Sequence, residues 1–191
     1  MKENILLGLI IIFVYIFIYF NKNDLVYVES NTGVSFLVQK SYNKQEKANI
    51  LDKLMKNLFL LKNHLINNID KYPEIAEYIK QLQRNFNEDR TVIYETDPKT
   101  KLTSYSVNKG EELSFCLTSK KTNKLHDINL LMYVALHELS HIACPEIGHG
   151  ELFKKIFKKF VEIASELNIY NRVDYNVNPV EYCGMYLNSS I

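Results

Sequence analysis

Hydrophobic positions recur along the chain at two periods, and each period marks a set of elements. Leu25–Glu29 and Val34–Gln39 are short strand-like runs around Asn31-Thr32-Gly33, residues that accept turn conformations, so they predict a β-hairpin. From about Lys44 to Ile69 the spacing becomes helical, with Ala48, Leu51, Met55, Leu58, Leu65 and Ile69 on one stripe. Tyr72-Pro73 breaks that helix, and Pro73 suits the first turn of the next, which carries Ile75, Ile79, Leu82 and Phe86 on one face. Thr91–Glu95, Ser104–Val107 and Glu112–Leu117 read as strands, the last two joined by a turn at Lys109-Gly110. After the polar loop Ser119–Lys124, Asp127 is placed to cap a helix over Ile128–Ala143, which Cys144-Pro145 ends. A further amphipathic helix runs from about Gly150 to Leu167. It turns Phe153, Ile156, Phe157, Phe160 and Ala164 inward and Lys154, Lys155, Lys158 and Lys159 to solvent.

The segment Ile5–Phe20, ILLGLIIIFVYIFIYF, has no polar face and no charge. At helical rise it spans roughly 24 Å, slightly less than the ~30 Å hydrocarbon core, with Lys2 and Lys22 able to snorkel. This predicts an uncleaved, single-pass membrane anchor over residues 1–23, followed by one domain over 24–191. A signal peptide is the competing reading, but no small-residue cleavage site follows the run. Charges flanking the segment are nearly balanced and do not set its orientation.

Composition narrows the picture in two ways. The 191 residues carry a formal net charge of +1, so there is no strong nucleic-acid signal. The chain has Cys 3, without paired spacing. Cys116, Cys144 and Cys183 are therefore expected as free thiols in a reducing compartment, which points the domain toward the cytosol.

The chemistry is concentrated in His137-Glu138-Leu139-Ser140-His141, an H-E-x-x-H sequence inside the helix predicted over 128–143. Residues four apart project from one helical face, so both imidazoles can reach one metal ion. Glu138 is placed to act on a water at the same ion. Two neutral nitrogen ligands, an open position and a carboxylate base predict a zinc-dependent hydrolase. A catalytic zinc takes three protein ligands. His149, beyond a bend at Pro145 and Gly148, is the leading third ligand; Glu162 and Glu166 are its rivals. His64 and His126 are expected at the surface or at caps. Tyr175 and Tyr182 are candidates to donate to the oxyanion, and Glu112–Leu117 is a candidate edge strand for pairing with an extended substrate.

The stretch LMYVALHELSHIACPEIGHGELF resembles the active-site region of WLM-type and SprT-like zinc metalloproteases. His137, Glu138, His141 and His149 fall on that pattern, with Phe153 at its aromatic position. YSVNKGEELSFCL resembles the strand that precedes the active-site helix in the same family. The resemblance spans about Val92 to Leu167 and implies a compact peptidase using Zn2+ on a protein or peptide substrate. Many family members act on proteins cross-linked to DNA, but this chain has no basic segment for that role. The expected fold is α+β: a small antiparallel-rich sheet packed on helices, an active-site helix carrying the motif, and one N-terminal transmembrane helix. The expected function is membrane-anchored peptide hydrolysis with Glu138 as general base. The alternatives are a DNA-associated protease of this type, or an anchored scaffold with a structural zinc closed by Cys144 or Cys183.

Overall fold

The computed structural model describes residues 8, 10–14 and 24–188. Five strands form one sheet: β1 (Leu25–Glu29), β2 (Ser35–Gln39), β3 (Val92–Glu95), β4 (Tyr105–Val107) and β5 (Glu112–Phe115). Their spatial order is β1-β2-β3-β5-β4. The hairpin β1–β2 is antiparallel, with Tyr27 opposite Leu37, and β4 is antiparallel to β5. The two central pairings, β2–β3 and β3–β5, are parallel. The sheet is thus mixed rather than antiparallel-rich. The reason lies in the connections. A long helical crossover between β2 and β3 returns the chain in the same direction, which a tight turn cannot do.

That crossover contains α1 (Lys44–Asn67) and α2 (Ala76–Asn85), joined by two short 3-10 turns at Ile69–Lys71 and Pro73–Ile75. The apolar stripe of α1 packs on β1, β2 and β3. Leu51, Leu54, Leu58, Leu61 and Leu65 are fully buried there. Helix α3 (Ile128–Ala143) lies between α1, α2 and α4 (Glu151–Glu166) and also reaches β4 and β5. Asp127 caps α3 as expected, its carboxylate accepting from the Asn129 N–H at 2.8 Å. In α4, Phe153, Ile156, Phe157, Phe160 and Ala164 are buried, and the lysines face outward.

A second hairpin, β6 (Val180–Tyr182) and β7 (Met185–Leu187), had no sequence counterpart. It is held against the main sheet by a disulfide between Cys116 and Cys183, with Cα atoms 6.1 Å apart. Only Cys144 is a free thiol, and it is buried. The expectation of three free thiols is corrected, because pairing depends on the hairpin bringing Cys183 to the end of β5. The argument for a cytosol-facing domain falls with it.

The expected single-pass anchor is also corrected. Among the described residues no helix is long and apolar enough to cross a membrane. Of the run Ile5–Phe20, residues 8 and 10–14 are described, and they are helical. The rest of that run lies outside the described residues.

One buried ion pair ties α1 to the sheet. Lys47, 1% exposed, donates to Glu95, 0% exposed, at 2.7 Å. The Glu95 carboxylate also accepts from the Gln39 N–H at 2.6 Å, and Lys47 donates to the Gln39 side chain at 3.2 Å. Burial pushes the Glu95 carboxyl above its usual range, against the pull of Lys47 and the Gln39 N–H. Removing one member strands the other in the core. Lys47→Met should therefore destabilise the fold by about 3–5 kcal/mol in denaturant unfolding, and Lys47→Met with Glu95→Gln should recover a substantial part.

Candidate metal centre

Helix α3 is buried over nearly its whole surface. Beyond its first turn, His137 and His141 are the only residues that reach partial exposure. They open onto a cavity of about 750 Å³. Their Nε2 atoms are 3.1 Å apart, as the i, i+4 spacing on one face anticipates.

His149 joins them from the loop between α3 and α4. Its Nε2 lies 3.0 Å from that of His137 and 3.1 Å from that of His141. The three imidazoles form a group able to hold a metal ion, and no other such group of His, Cys, Asp or Glu occurs among the described residues. Glu162 is turned away, 3.4 Å from Lys159 Nζ on the outer face of α4. The loop bends where expected. Cys144 ends α3 in an extended conformation before Pro145, and Gly148 has φ +88°, a region that side chains rarely adopt.

Phe153, in the first turn of α4, floors the cluster. Its ring centroid is 4.3 Å from His141, in a stacked arrangement, and 4.9 Å from both His137 and His149. This apolar floor and the mutual proximity of the rings oppose protonation. Burial first, then the neighbouring histidines, lower His137 to about pKa 3. Burial, His149 and Lys109 lower His141 to about 4. Both are neutral at physiological pH, the form in which imidazole binds a metal. A triangle of three Nε2 atoms cannot satisfy every contact with ring protons, since each nitrogen carries either a proton or a lone pair. A cation at the centre would satisfy all three. The spacings are also near the ~3.3 Å expected between nitrogens held ~2.0–2.1 Å from a tetrahedral ion.

Glu138 is 7% exposed and lines the same cavity. Burial raises its carboxyl to about pKa 7. Tyr182 also lines the cavity, its hydroxyl hydrogen-bonded to Ser104 Oγ, and burial pushes that hydroxyl upward. Tyr175 does not line it. It packs with Tyr133, ring centroids 4.8 Å apart, and lines a separate cavity with Asp127 and Leu130. His64 and His126 stand elsewhere. His64 Nε2 is 3.1 Å from the Tyr72 hydroxyl. His126 is buried rather than at the surface, and its Nε2 accepts from the Cys183 N–H at 3.2 Å. Glu112–Phe115 is an interior strand, so the sheet edge bordering the cavity is β4 instead.

No protein-family profile matches the chain. The uncharacterized protein R325 of Acanthamoeba polyphaga mimivirus is 45% identical over 171 residues, covering 89% of this chain and 86% of that protein. The chain belongs to the same family as that protein. Uncharacterized protein 136R of Invertebrate iridescent virus 6 is 37% identical over 70 residues, 36% of this chain and 39% of its own length. Among solved structures, Wss1 from Saccharomyces cerevisiae overlaps 50% of this chain and 75% of its own, at 20% identity and a TM-score of 0.37. Wss1 from S. pombe, as an E203Q mutant, overlaps 47% of this chain and 84% of its own, at 15% identity and a TM-score of 0.32.

Lys109 supports the site in a way the sequence did not reveal. Its Nζ donates to the carbonyls of Cys144 at 2.7 Å, His141 at 3.3 Å and Glu146 at 3.4 Å. A cation on the last carbonyls of α3 satisfies groups that helix ends leave open, and it complements the helix dipole. The β4–β5 turn presents Lys109 because Gly110, at φ +112°, lets the backbone close against Ile142. Lys109→Met should speed hydrogen exchange of the amides between 144 and 150 and lower stability by about 1–3 kcal/mol. Unchanged exchange in that loop would separate Lys109 from the placement of His149.

Proposed function

We propose that the chain is a zinc-dependent peptidase, with His137, His141 and His149 as metal ligands and Glu138 as general base. The observation that carries this reading is the convergence of three imidazoles beside a buried carboxylate in one open cavity. Three nitrogen ligands with a position left open are the ligand set of a catalytic zinc site. When bound, zinc polarises a carbonyl and acidifies water near neutral pH.

The chain's own residues supply the remaining steps. A peptide lies along the free edge of β4, adding a strand and presenting its carbonyl to the histidine cluster. Glu138 takes a proton from the attacking water and returns it to the leaving nitrogen. Its pKa of about 7 suits both halves of that transfer, since ideal acid–base groups titrate near the working pH. Tyr182 is the better placed of the two tyrosines to donate to the developing oxyanion, because its hydroxyl is on the cavity wall beside Ser104.

A structural zinc site fits less well. It would be closed by a fourth protein ligand, yet Cys183 is in a disulfide, and Cys144 does not join the cluster. The resemblance of the motif region to WLM-type and SprT-like metalloproteases favours the same hydrolytic reading.

Purified protein should carry about one zinc per chain. His149→Ala should lose stoichiometric zinc while Glu162→Ala keeps it, as read by elemental analysis with circular dichroism as the folding control. Zinc retained in His149→Ala would overturn the ligand set. Glu138→Gln should retain zinc and slow cleavage of a denatured protein about 10²–10⁴-fold. Equal rates at equal zinc occupancy would remove Glu138 from the mechanism.

A further inference from the structure

Part of the cavity that holds the histidines is lined by the C-terminal hairpin. Alternation along β7 sends Met185 and Leu187 into the cavity lining. Tyr186, between them, is 59% exposed and lies outside that lining, with Lys121 Nζ 4.0 Å from its ring centroid. Tyr133 and Val134 of α3 and Ile147 of the histidine loop complete an apolar lining. Ile147 is 97% exposed and Met185 50% exposed, an unusual amount of free apolar surface at the mouth of a site. Lys109 also lines the cavity, but its amino group is committed to backbone carbonyls. Glu146 sits at the exposed lip.

The hairpin is fixed at three points. Cys183 is bonded to Cys116, its N–H donates to His126 Nε2, and the Tyr182 hydroxyl meets Ser104. A wall held this way is preorganised and loses little freedom when a ligand seats against it.

We propose that this hairpin is the specificity element of the site. Met185 and Leu187 select an extended peptide carrying a bulky apolar side chain next to the bond presented to the histidines. The proposal rests on the peptidase reading for the position of that bond, and on the lining alone for the kind of side chain. The free edge of β4 holds the peptide backbone, and the apolar lining removes the neighbouring side chain from water. Acidic side chains are disfavoured because they would lose hydration there, and the lining amino group, that of Lys109, is committed to backbone carbonyls.

Binding and cleavage separate this proposal from the reading beneath it. The full-length, disulfide-intact Glu138→Gln protein is titrated by fluorescence anisotropy with four peptides that differ at one central position: Leu, Phe, Asp or Lys. The Leu and Phe peptides should bind about 10- to 100-fold more tightly than the Asp peptide. Met185→Glu and Leu187→Glu should each reduce that preference severalfold and favour the Lys peptide. Equal binding of all four peptides, or variants that keep the apolar preference, would overturn the proposal. The wild-type protein is then given a peptide library. Cleavage with no apolar enrichment beside the cut sinks the specificity wall but leaves hydrolysis standing. Apolar-selective binding without cleavage by the zinc-loaded protein leaves the wall standing and removes the peptidase.

Discussion

The burial of α3 is the constraint on which the rest of the structure depends. Twelve of its sixteen residues are buried, among them every residue after the first turn except His137 and His141. The helix is wrapped by α1, α2, α4 and the β4–β5 side of the sheet. Its polar motif can survive in that setting because the wrapping leaves one strip open. A pair of histidines on a solvated helix would be free to sample many rotamers. Here packing on both flanks, with Phe153 beneath, restricts the rings to one arrangement. Rigidity gained from the core is thus transferred to the site, which is what precise placement of reacting groups requires.

His149 gets no such help from a helix, and three other features supply its placement. Gly148 gives the turn its left-handed residue, Lys109 holds the preceding carbonyls, and Phe153 packs on the ring from the next helix. The part of the cavity lined by the hairpin follows a similar logic. The C-terminal hairpin makes only a two-stranded sheet, too small to be stable alone. The Cys116–Cys183 disulfide and the Tyr182–Ser104 hydrogen bond attach it to the main domain. The site is therefore closed on two sides by segments with little secondary structure of their own.

What the sequence disclosed follows from the range of the interactions involved. The span Ile128–Ala143 and its Asp127 cap were legible because helix periodicity and capping act within a few residues. The return of His149 to the other two histidines was legible for a similar reason, since only seven residues, with two bend signals among them, lie between it and His141. The parallel pairing of β2 with β3 was not, because it is made across the 52 residues between Gln39 and Val92. A separation of 48 positions hides the Lys47–Glu95 pair, whose residues look like ordinary surface charges in the sequence. Cys116 and Cys183 are 67 residues apart, and no local spacing announces their union. Lys109 was readable as part of a turn, but its role comes from where that turn lands, beneath the end of α3. The apolar N-terminal run shows the opposite error: composition suggested a membrane span, and no described helix is both long and apolar enough for one.

The buried state of Glu138 bears on why such a site exists at all. A carboxyl raised to about pKa 7 by burial is less favourable, when ionised, than the same group in water. Nothing in the packing of α3 demands it, since Leu136 and Leu139 fill the same helix with apolar side chains at no electrostatic cost. A structural metal site gains nothing from an acid beside its ligands. Proton transfer does, because a group poised near neutrality can accept and release a proton with little driving force lost in either direction. Strongly perturbed carboxyls in cavities mark functional positions more often than structural ones. The cost of burying Glu138, set against three imidazoles facing the same space, supports the proposed proton transfer there.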